Sequence, residues 1–489
     1  MEMKIPVGPT RITPDAPASS TVMTEPLGVG TLVYTKAGLS MLFIWLLWGD
    51  FCFTLMEQVI PSIMPLKLKA LDTPNWLMAT ILTAIPTAMA TVVSPVLGYQ
   101  SDRLRTRWGR RIPFLFISTP FVALFLFLMA LSPEIGAFIH RVFLAGTRIS
   151  PAAVIIVCIA VFMVGYKFFD LVSGLIFSYL LNDVVPRTHL TRFYALFRIA
   201  GIAASASYNY FIFKFGDSHT REILMGAALL YFVGFMQMCW KVKEGEYPPA
   251  PETLDKRKGF RSEAKTYFHE CFIHRIYLYY FLHTACWNIG GASYVFTLFL
   301  NLSLGVTLDQ HGKILGVAQV LTALLLYPAG ALADRLHPLR VMVWVKIGIL
   351  ASLLLNMIWL VKTFSPQTNF YILVGITAFT LPLNVMYVAA TSPMIMRLLP
   401  SSRFGQFCSA CFMMVSLFSI LSSVAVGVIF DLIRRLLPEA AWGKDYCYRF
   451  VPVWSFLFFS IGLVFLLLLF REWKRCGGDA SYQPPGFDD

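Results

Sequence analysis

Six charged residues interrupt stretches of this chain that are otherwise strongly apolar. They are Asp50, Glu57, Lys167, Asp170, Arg198 and Lys346. A charged side chain at the centre of a bilayer costs about 2.5–3.5 kcal/mol, so each of these residues needs a partner or a function. Carboxylates accept hydrogen bonds from hydroxyl groups, and a guanidinium donates several in a fixed fork. The set therefore suits binding of a neutral polyol or transfer of a proton.

The spacing of these residues predicts which of them act together. Asp50 and Glu57 lie seven residues apart, which places them on one face of a helix at a separation of about 10 Å. Lys167 and Asp170 are three residues apart and can form an ion pair on one helix, so a purely neutralising role for Lys167 stays open. Lys346 is expected to extend its ammonium group to a lipid headgroup.

The composition identifies the environment that surrounds these charges. Of the 489 residues, 57% are hydrophobic and only 14% are charged, against a usual share of about 25%. So few charges cannot coat a soluble protein, which excludes a soluble enzyme and, despite the net charge of +13, a nucleic-acid binder. Phosphate-binding, zinc-binding and serine-nucleophile motifs are absent from the sequence. We therefore expect no enzymatic activity, no metal and no cofactor.

Twelve apolar stretches follow one another, each long enough for a helix to cross about 30 Å of hydrocarbon. They cover residues 38–64, 75–99, 112–131, 152–181, 193–214, 222–241, 274–300, 312–333, 339–361, 370–397, 405–430 and 451–470. Backbone groups in lipid must pair within their own segment or in a closed barrel, and spans this long favour helices. We predict an all-α membrane protein with twelve transmembrane helices in two six-helix bundles.

Polar segments divide the chain into two halves. We predict a flexible arm at 1–37, a first bundle at 38–241, a linker at 242–273, a second bundle at 274–470 and a tail at 471–489. With both termini on one side, that side carries 25 of the 40 lysines and arginines, the other carries 12, and three lie within spans. This excess follows the positive-inside rule and predicts that both termini are cytoplasmic.

One short motif occurs after the second span of each half: a glycine, an aspartate four residues later and then an arginine. The two copies, with the basic run that follows the first, comprise Gly98, Asp102, Arg103, Gly109, Arg110, Arg111, Gly330, Asp334 and Arg335. The glycine allows close approach of helices, the aspartate can face a neighbouring helix N-terminus, and the arginines hold the loop at an anionic membrane surface. We interpret the pair of loops as a conformational latch between internal repeats.

With these spans and this motif, the chain resembles the major facilitator superfamily over residues 38–470. The loop between Asp102 and Phe114 has three more residues between its aspartate and Gly109 than the common superfamily pattern. This longer form is similar to the glycoside–pentoside–hexuronide cation symporters and the related sucrose transporters, and so is the proline pair at 61–65. The resemblance implies secondary transport through a site between the two bundles.

The resemblance also implies roles for three of the intramembrane charges. Symporters of the melibiose-permease type bind sugar through an aspartate in the first helix, an aspartate in the fourth and an arginine in the fifth. Asp50, Asp170 and Arg198 occupy these places here. We therefore expect these three side chains to bind substrate.

Two departures from that pattern bear on the coupling ion. The family's sodium site also uses acids in the second helix, whereas the span 75–99 contains none, and its lysine in the eleventh helix is absent from 405–430. A carboxyl in a low-dielectric cavity favours its neutral form, which suits it to load and release a proton. We expect H⁺ rather than Na⁺, with Asp170 ranked first and Glu57 second as the coupling carboxylate, and Lys167 beside them.

Aromatic and amide side chains near these charges are further candidates for substrate contact, because a sugar ring has an apolar face that stacks on aromatic rings. They are Trp48, Trp287, Asn288 and Tyr294. In a chain that is 15% aromatic, packing in the core or against lipid is the competing interpretation for each ring.

Together these features predict proton-coupled symport of a sugar or glycoside by a monomer in the cell (inner) membrane, with no nucleic-acid partner. Two alternatives remain open. One is an uncoupled facilitator, or an exporter of another small polar or amphipathic solute. The other is a non-transporting membrane sensor on the same fold, against which the short tails of the chain argue.

Overall fold

A computed structural model of the protein describes residues 28–29, 31–245, 271–362, 364–400, 403–437, 439, 443–478 and 482–485. The predicted arm and linker therefore lie mostly outside the described residues. A small antiparallel hairpin of β1 (Gly28–Val29) and β2 (Leu32–Val33) precedes the first helix. The rest of the described chain is helices and their connections.

Ten helices in the described residues are long and apolar enough to cross a membrane. They are α1 (Lys36–Ala70), α2 (Asn75–Arg103), α3 (Ile112–Ala130), α4 (Pro151–Val184), α6 (Thr220–Lys241), α8 (Leu308–Leu336), α9 (Pro338–Val361), α10 (Pro366–Leu398), α11 (Phe404–Leu436) and α12 (Val451–Arg475). Two shorter helices, α5 (Leu190–Ser207) and α7 (Arg275–Gly291), complete the predicted twelve.

Irregular turns end α5 and α7 early. α5 continues beyond Ser207 as a π-helical turn at Tyr208–Ile212. α7 passes through a 3₁₀ turn at Ala292–Phe296 into a short helix at Thr297–Ser303. Such irregular turns are frequent at functional sites, because they redirect side chains.

The two halves repeat one packing scheme. In the first half α1 packs on α5 and α6, α3 packs on α4 and α6, and α2 packs on α4. The same pairs recur six helices later, between α7 and α11 or α12, α9 and α10 or α12, and α8 and α10. The predicted fold of two six-helix bundles is therefore confirmed.

The helix starts show why these segments fold where they do. The Ser150 and Ser365 side chains accept hydrogen bonds from the backbone at the starts of α4 and α10. Thr307 and Gln310 form a reciprocal capping box at α8. Each cap satisfies backbone N–H groups that have no partner within the helix.

Two seams join the halves at the end of the bundle opposite to the chain termini, here called the distal side. In the first seam, Asp431 of α11 accepts hydrogen bonds from the backbone N–H groups of Asn75 and Trp76 at the start of α2, both at 3.0 Å. Gly427 of α11 lies so close that a Cβ there would sit 2.7 Å from the Asn75 carbonyl oxygen. An ion pair between Lys69 and Asp445 closes the same side.

The second seam joins α5 to α8 through glycines. A side chain at Gly312 would collide with the carbonyl oxygen of Asn209, and one at Gly316 would lie 3.1 Å from the carbonyl oxygen of Ala206. The glycines are four residues apart and face the same neighbour, as small residues do at close helix crossings in membranes. The protein is therefore closed on the distal side.

Candidate functional site

A cavity of about 790 Å³ lies between the two halves. Its wall draws on α1, α2, α4 and the π turn after α5 in the first half, and on α8 and the turn after α7 in the second. Its polar lining includes Glu57, Gln58, Lys167, Asn209, His311 and Gln319. Prolines and aliphatic side chains supply much of the remaining surface, so the cavity offers both polar and apolar contacts.

A second cavity of about 380 Å³ continues from the first, because Glu57 and Gln319 line both. It holds Asp50 and Arg198, which the sequence analysis assigned to substrate binding. The two cavities thus bring together Asp50, Glu57, Lys167 and Arg198 from three different helices. Each of the two cavities is within the usual size range for small-molecule sites.

Asp50 is buried at the edge of the smaller cavity, with 3% of its surface exposed. One carboxylate oxygen accepts a long hydrogen bond from the Thr54 hydroxyl at 3.5 Å, and the other has no hydrogen-bond partner. Gly201 of α5 faces that second oxygen, where a Cβ would lie 3.4 Å away. Arg198 is exposed in the same cavity and makes no ion pair within 4.0 Å among the described residues.

Lys167 and Asp170 form the ion pair that their spacing allows. The Lys167 ammonium donates to Asp170 Oδ2 at 2.6 Å, and the other Asp170 oxygen is buried without a hydrogen-bond partner. Lys167 lines the larger cavity, whereas Asp170 lies behind it with 2% of its surface exposed. Glu57 is exposed to both cavities and interacts electrostatically with this pair.

The aromatic candidates occupy different places. Tyr294 lines the larger cavity with about half of its surface exposed. Trp287 stacks on Phe459 with ring centroids 3.7 Å apart, and the Asn288 amide donates to the Thr284 carbonyl of its own helix. Trp48 lies where α1 meets Gly234 of α6. Trp48, Trp287 and Asn288 are not among the described residues that line either cavity.

The expectation that Lys346 extends to a lipid headgroup was wrong. Its side chain does not reach a headgroup, but is fully buried inside the second half. The ammonium lies over the rings of Trp287 and Tyr387, with distances of 2.8 and 3.8 Å to the ring centroids. The negative faces of aromatic rings attract a cation, which offsets part of the cost of burying this lysine.

Several cavity residues escaped the sequence analysis because they are uncharged. The Asn209 amide donates to Gln319 Oε1 at 3.3 Å, which links the two halves across the cavity wall. His311 also lines the wall, and its ring contacts the Asn301 amide at 2.8 Å. A single amide in an apolar span is a weak signal, and only the π turn at Tyr208–Ile212 directs Asn209 to the cavity.

The first copy of the repeated motif forms a charged cluster, here called the N-half latch. Arg111 pairs with Asp102 at 2.6 Å, and both Arg110 and Arg111 bind Asp183 at the end of α4 at 2.7 and 3.0 Å. Arg103 stacks on the ring of Tyr99 at 4.0 Å. The latch therefore connects the loop after α2 to α4.

A third acid of the N-half latch comes from the chain after α6. Glu244 accepts hydrogen bonds from the N–H groups of Arg110, Arg111 and Ile112 at 3.0, 2.8 and 2.6 Å, which caps the start of α3. Gly109 has a φ of +103° and faces Glu244 without room for a side chain. The sequence analysis missed Asp183 and Glu244. The signal that predicts them is an acidic residue at the terminal-side end of a span, close to a loop that is rich in arginine.

The second copy of the motif is arranged differently. The side chain of Asp334 lies outside the described residues, and Arg335 is exposed beside a separate pocket. A Cβ at Gly330 would meet nothing within 4 Å, and one at Gly98 would make an ordinary contact with Tyr179. The close helix approach expected at these glycines is therefore absent, because the close contacts between the halves lie on the distal side.

Asp183→Asn is expected to lower the free energy of unfolding by about 3 kcal/mol, because the buried Arg111 and the partly buried Arg110 each lose a partner. Thermal and urea unfolding of the purified protein measure this change. Asp217→Asn, an exposed acid in a distal turn, is the matched control and should change stability by less than about 0.5 kcal/mol. Equal stability of the two variants would contradict a structural role for the latch.

Comparison with known families gives one sequence match: residues 68–430 match the family described as MFS/sugar transport protein. No curated protein sequence matches the chain significantly. Among solved structures, the fold is similar to a bacterial homologue of the human lysosomal transporter Spinster in an inward-facing, unoccupied conformation. That similarity has a TM-score of 0.65 at 14% identity and covers 92% of this chain and 100% of the other.

Two further structures share the fold. One is a bacterial homologue of the iron transporter ferroportin in an inward-facing state, with a TM-score of 0.64 at 14% identity over 88% of this chain and 99% of the other. The second is the nucleoside transporter NupG, with a TM-score of 0.57 at 12% identity over 88% and 99%. Family and fold are those of multi-pass membrane transporters rather than enzymes, and the chain belongs to the MFS/sugar transport protein family.

Proposed function

We propose that this transporter is a proton-coupled symporter of a sugar or glycoside. The observation that carries the proposal is the pair of joined cavities between the halves, into which Glu57, Lys167 and Arg198 project and beside which Asp50 is buried with a free oxygen. A site with donors and acceptors on one wall and apolar surface elsewhere suits a neutral, polyhydroxylated solute.

The substrate end of the site is the smaller cavity. Asp50 offers an acceptor, and Arg198 offers a planar array of donors, so the pair can bind adjacent hydroxyl groups of one sugar ring. Gln319 reaches the same space from α8 and contributes an amide from the second half. The apolar wall of the larger cavity, with Tyr294, suits a second ring or an aglycone.

The proton end of the site is the cluster of Glu57, Lys167 and Asp170. Two carboxylates there share one ammonium group, so the cluster holds one excess negative charge when both acids are ionised. A proton on Glu57 removes that excess without breaking the ion pair. Glu57 also lines both cavities, and its charge therefore acts on a substrate bound beside it.

Transport follows from opening the distal seams while the two bundles rock about this site. The seams close one side of the cavities through Asp431, Gly427, Gly312 and Gly316. Binding of both solute and proton lowers the cost of the rearrangement, because a neutral site is cheaper to enclose in a low dielectric. We place the protein in the cell (inner) membrane as a monomer with both termini in the cytoplasm.

The test is a recording of proton flux in proteoliposomes that are challenged with a panel of mono- and disaccharides. We expect alkalinisation of the external medium on addition of the transported sugar. Glu57→Gln should abolish this signal yet retain exchange of labelled sugar across the membrane. Glu134→Gln, an exposed acid paired with Arg221 on the distal side, is the matched control and should behave as the parent protein.

Each alternative outcome would indicate a different function for this transporter. Sugar movement without proton movement would indicate an uncoupled facilitator or sodium coupling. Absence of transport for the whole panel, in protein that remains folded, would overturn the sugar assignment and direct the search to other small polar or amphipathic solutes.

A further inference from the structure

One face of α8 lies along α5 and ends at an amide side chain. Gly312, Gly316 and Gln319 follow one another at intervals of four and three residues, which places them on the same face of the helix over about 10 Å. The two glycines face the backbone carbonyl oxygens of Asn209 and Ala206 at close range. Gln319 Oε1 accepts a hydrogen bond of 3.3 Å from the Asn209 amide. The second seam therefore runs inward from the distal side and closes on a bond between two amide side chains.

Beyond Gln319 the two helices separate, and the smaller cavity opens between them. The lining of this cavity includes Arg198 and Ile202 from α5 and Thr322 from α8. Gln319 lines both this cavity and the larger one. It therefore lies at the fork where the closed seam meets the cavities, and its amide can reach Asn209 on one side or a solute on the other.

This bond differs in position from the other hydrogen bonds that the structure describes between the halves. Those bonds involve residues at the distal ends of α1, α2 and α11 and in the turn before α12, namely Lys69, Asn75, Trp76, Asp431, Asp445 and Tyr448. None of them lines either cavity. Within the described part of the chain, the bond between Asn209 and Gln319 is therefore the one that a bound solute can reach directly.

The bond is also easy to exchange. Its length of 3.3 Å is beyond the usual range for such bonds, and the same Asn209 amide donates to the Ser205 carbonyl at 2.9 Å, so Asn209 keeps a partner when Gln319 moves away. Gln319 makes no other hydrogen bond within the described residues, and its amide offers two donors and an acceptor. A sugar hydroxyl both donates and accepts, and it can therefore satisfy that amide in place of Asn209.

We propose that Gln319 is an occupancy sensor of the transport site. In the empty site it bonds Asn209 and helps to hold the distal side closed, whereas in the filled site it bonds a hydroxyl group of the solute and releases the second seam. The filled protein then opens its distal side more readily than the empty one, because it has one bond fewer to break. The proposal rests on the proposed function, since the competing group is a hydroxyl of the transported solute.

The experiment measures the distance between spin labels on the two halves of the full-length protein in nanodiscs. Labels at Asp217 and Arg435, both exposed on the distal side, report the ratio of distal-open to distal-closed protein in a background that lacks the exposed Cys476. Without solute, Gln319→Leu should raise this ratio about fivefold through the loss of one hydrogen bond. Gln319→Ala should do the same, which excludes an effect of side-chain volume. Thr322→Val, on the same helix and in the same cavity, is the matched control and should leave the ratio unchanged.

Two further arms separate the bond from the transported solute. In an Asn209→Leu background, Gln319→Leu should add nothing, because the bond is already absent. A sugar that the parent protein transports should raise its distal-open ratio about fivefold and leave that of Gln319→Leu unchanged. Equal ratios of the parent protein and Gln319→Leu without solute would overturn the proposal, and so would a full effect in the Asn209→Leu background or an equal response of both proteins to the sugar. If the parent protein transports no sugar of the panel, the proposed function fails, and the comparison without solute still decides the role of Gln319.

Discussion

Replacing Asp170 with asparagine is expected to abolish uphill accumulation of solute and to destabilise the first half. The Lys167 ammonium, which is largely buried, would lose its ion-pair partner at 2.6 Å. Removing one member of such a pair costs about 3 kcal/mol, because the remaining charge is poorly solvated. Thermal unfolding measures the stability change, and accumulation under an imposed pH gradient in proteoliposomes measures the transport change.

A double variant separates these two effects. Lys167→Gln combined with Asp170→Asn removes both charges and should restore stability to within about 1 kcal/mol of the parent protein. Coupled accumulation should nevertheless remain absent, because Glu57 then lacks the neighbouring ion pair whose charges act on it. Accumulation by the double variant would show that Lys167 and Asp170 form a structural pair without a role in coupling.

Gly427→Leu is expected to open the distal side and to stop the transport cycle. The leucine would push into the Asn75 and Trp76 backbone at the seam between α2 and α11, where a Cβ alone would lie 2.7 Å from a carbonyl oxygen. Overpacking of this kind costs about 3 kcal/mol or more, which shifts the equilibrium between closed and open states by at least about 100-fold. The distal-closed state would become a minor population.

Labelling measures that shift directly. A cysteine at Leu315 on the cavity wall, in a background that lacks the exposed Cys476, should react with a membrane-impermeant maleimide from the distal side only in the Gly427→Leu variant. Gly375→Leu on α10 is the matched control, because a Cβ at that glycine meets nothing within 4 Å. Full transport by Gly427→Leu would contradict a gating role for the seam.

The architecture was predictable because the bilayer imposes it. A span of about 20 apolar residues between polar loops has only the helix available to it, so twelve such stretches predicted twelve helices. The largest boundary errors fall at α5 and α7, where a π turn and a 3₁₀ turn end the regular helix early. The repeated motif likewise indicated two related halves, and the helix pairs of the two bundles match.

The site was predictable in its charged members and in Tyr294, which lines the larger cavity. Asp50, Glu57, Lys167 and Arg198 stand out in apolar spans, and the structure brings them to two joined cavities. Asn209, Gln319 and His311 do not stand out, because uncharged polar residues are common in membrane helices. Their place on the wall depends on a π turn and on the register of α5 against α8.

The sequence by itself determined that the protein is surrounded by lipid, how many helices it has, and that its halves are related. It also determined which charged residues lie within the membrane-spanning segments. These follow from composition and spacing, which act locally along the chain. Only the tertiary structure decided that Lys346 is enclosed by aromatic rings, and that Arg110 and Arg111 share Asp183. It also decided that Gly312 and Gly427, rather than the glycines of the repeated motif, lie at the closest helix contacts. Such contacts join residues far apart in the chain, and helix packing sets which of them meet.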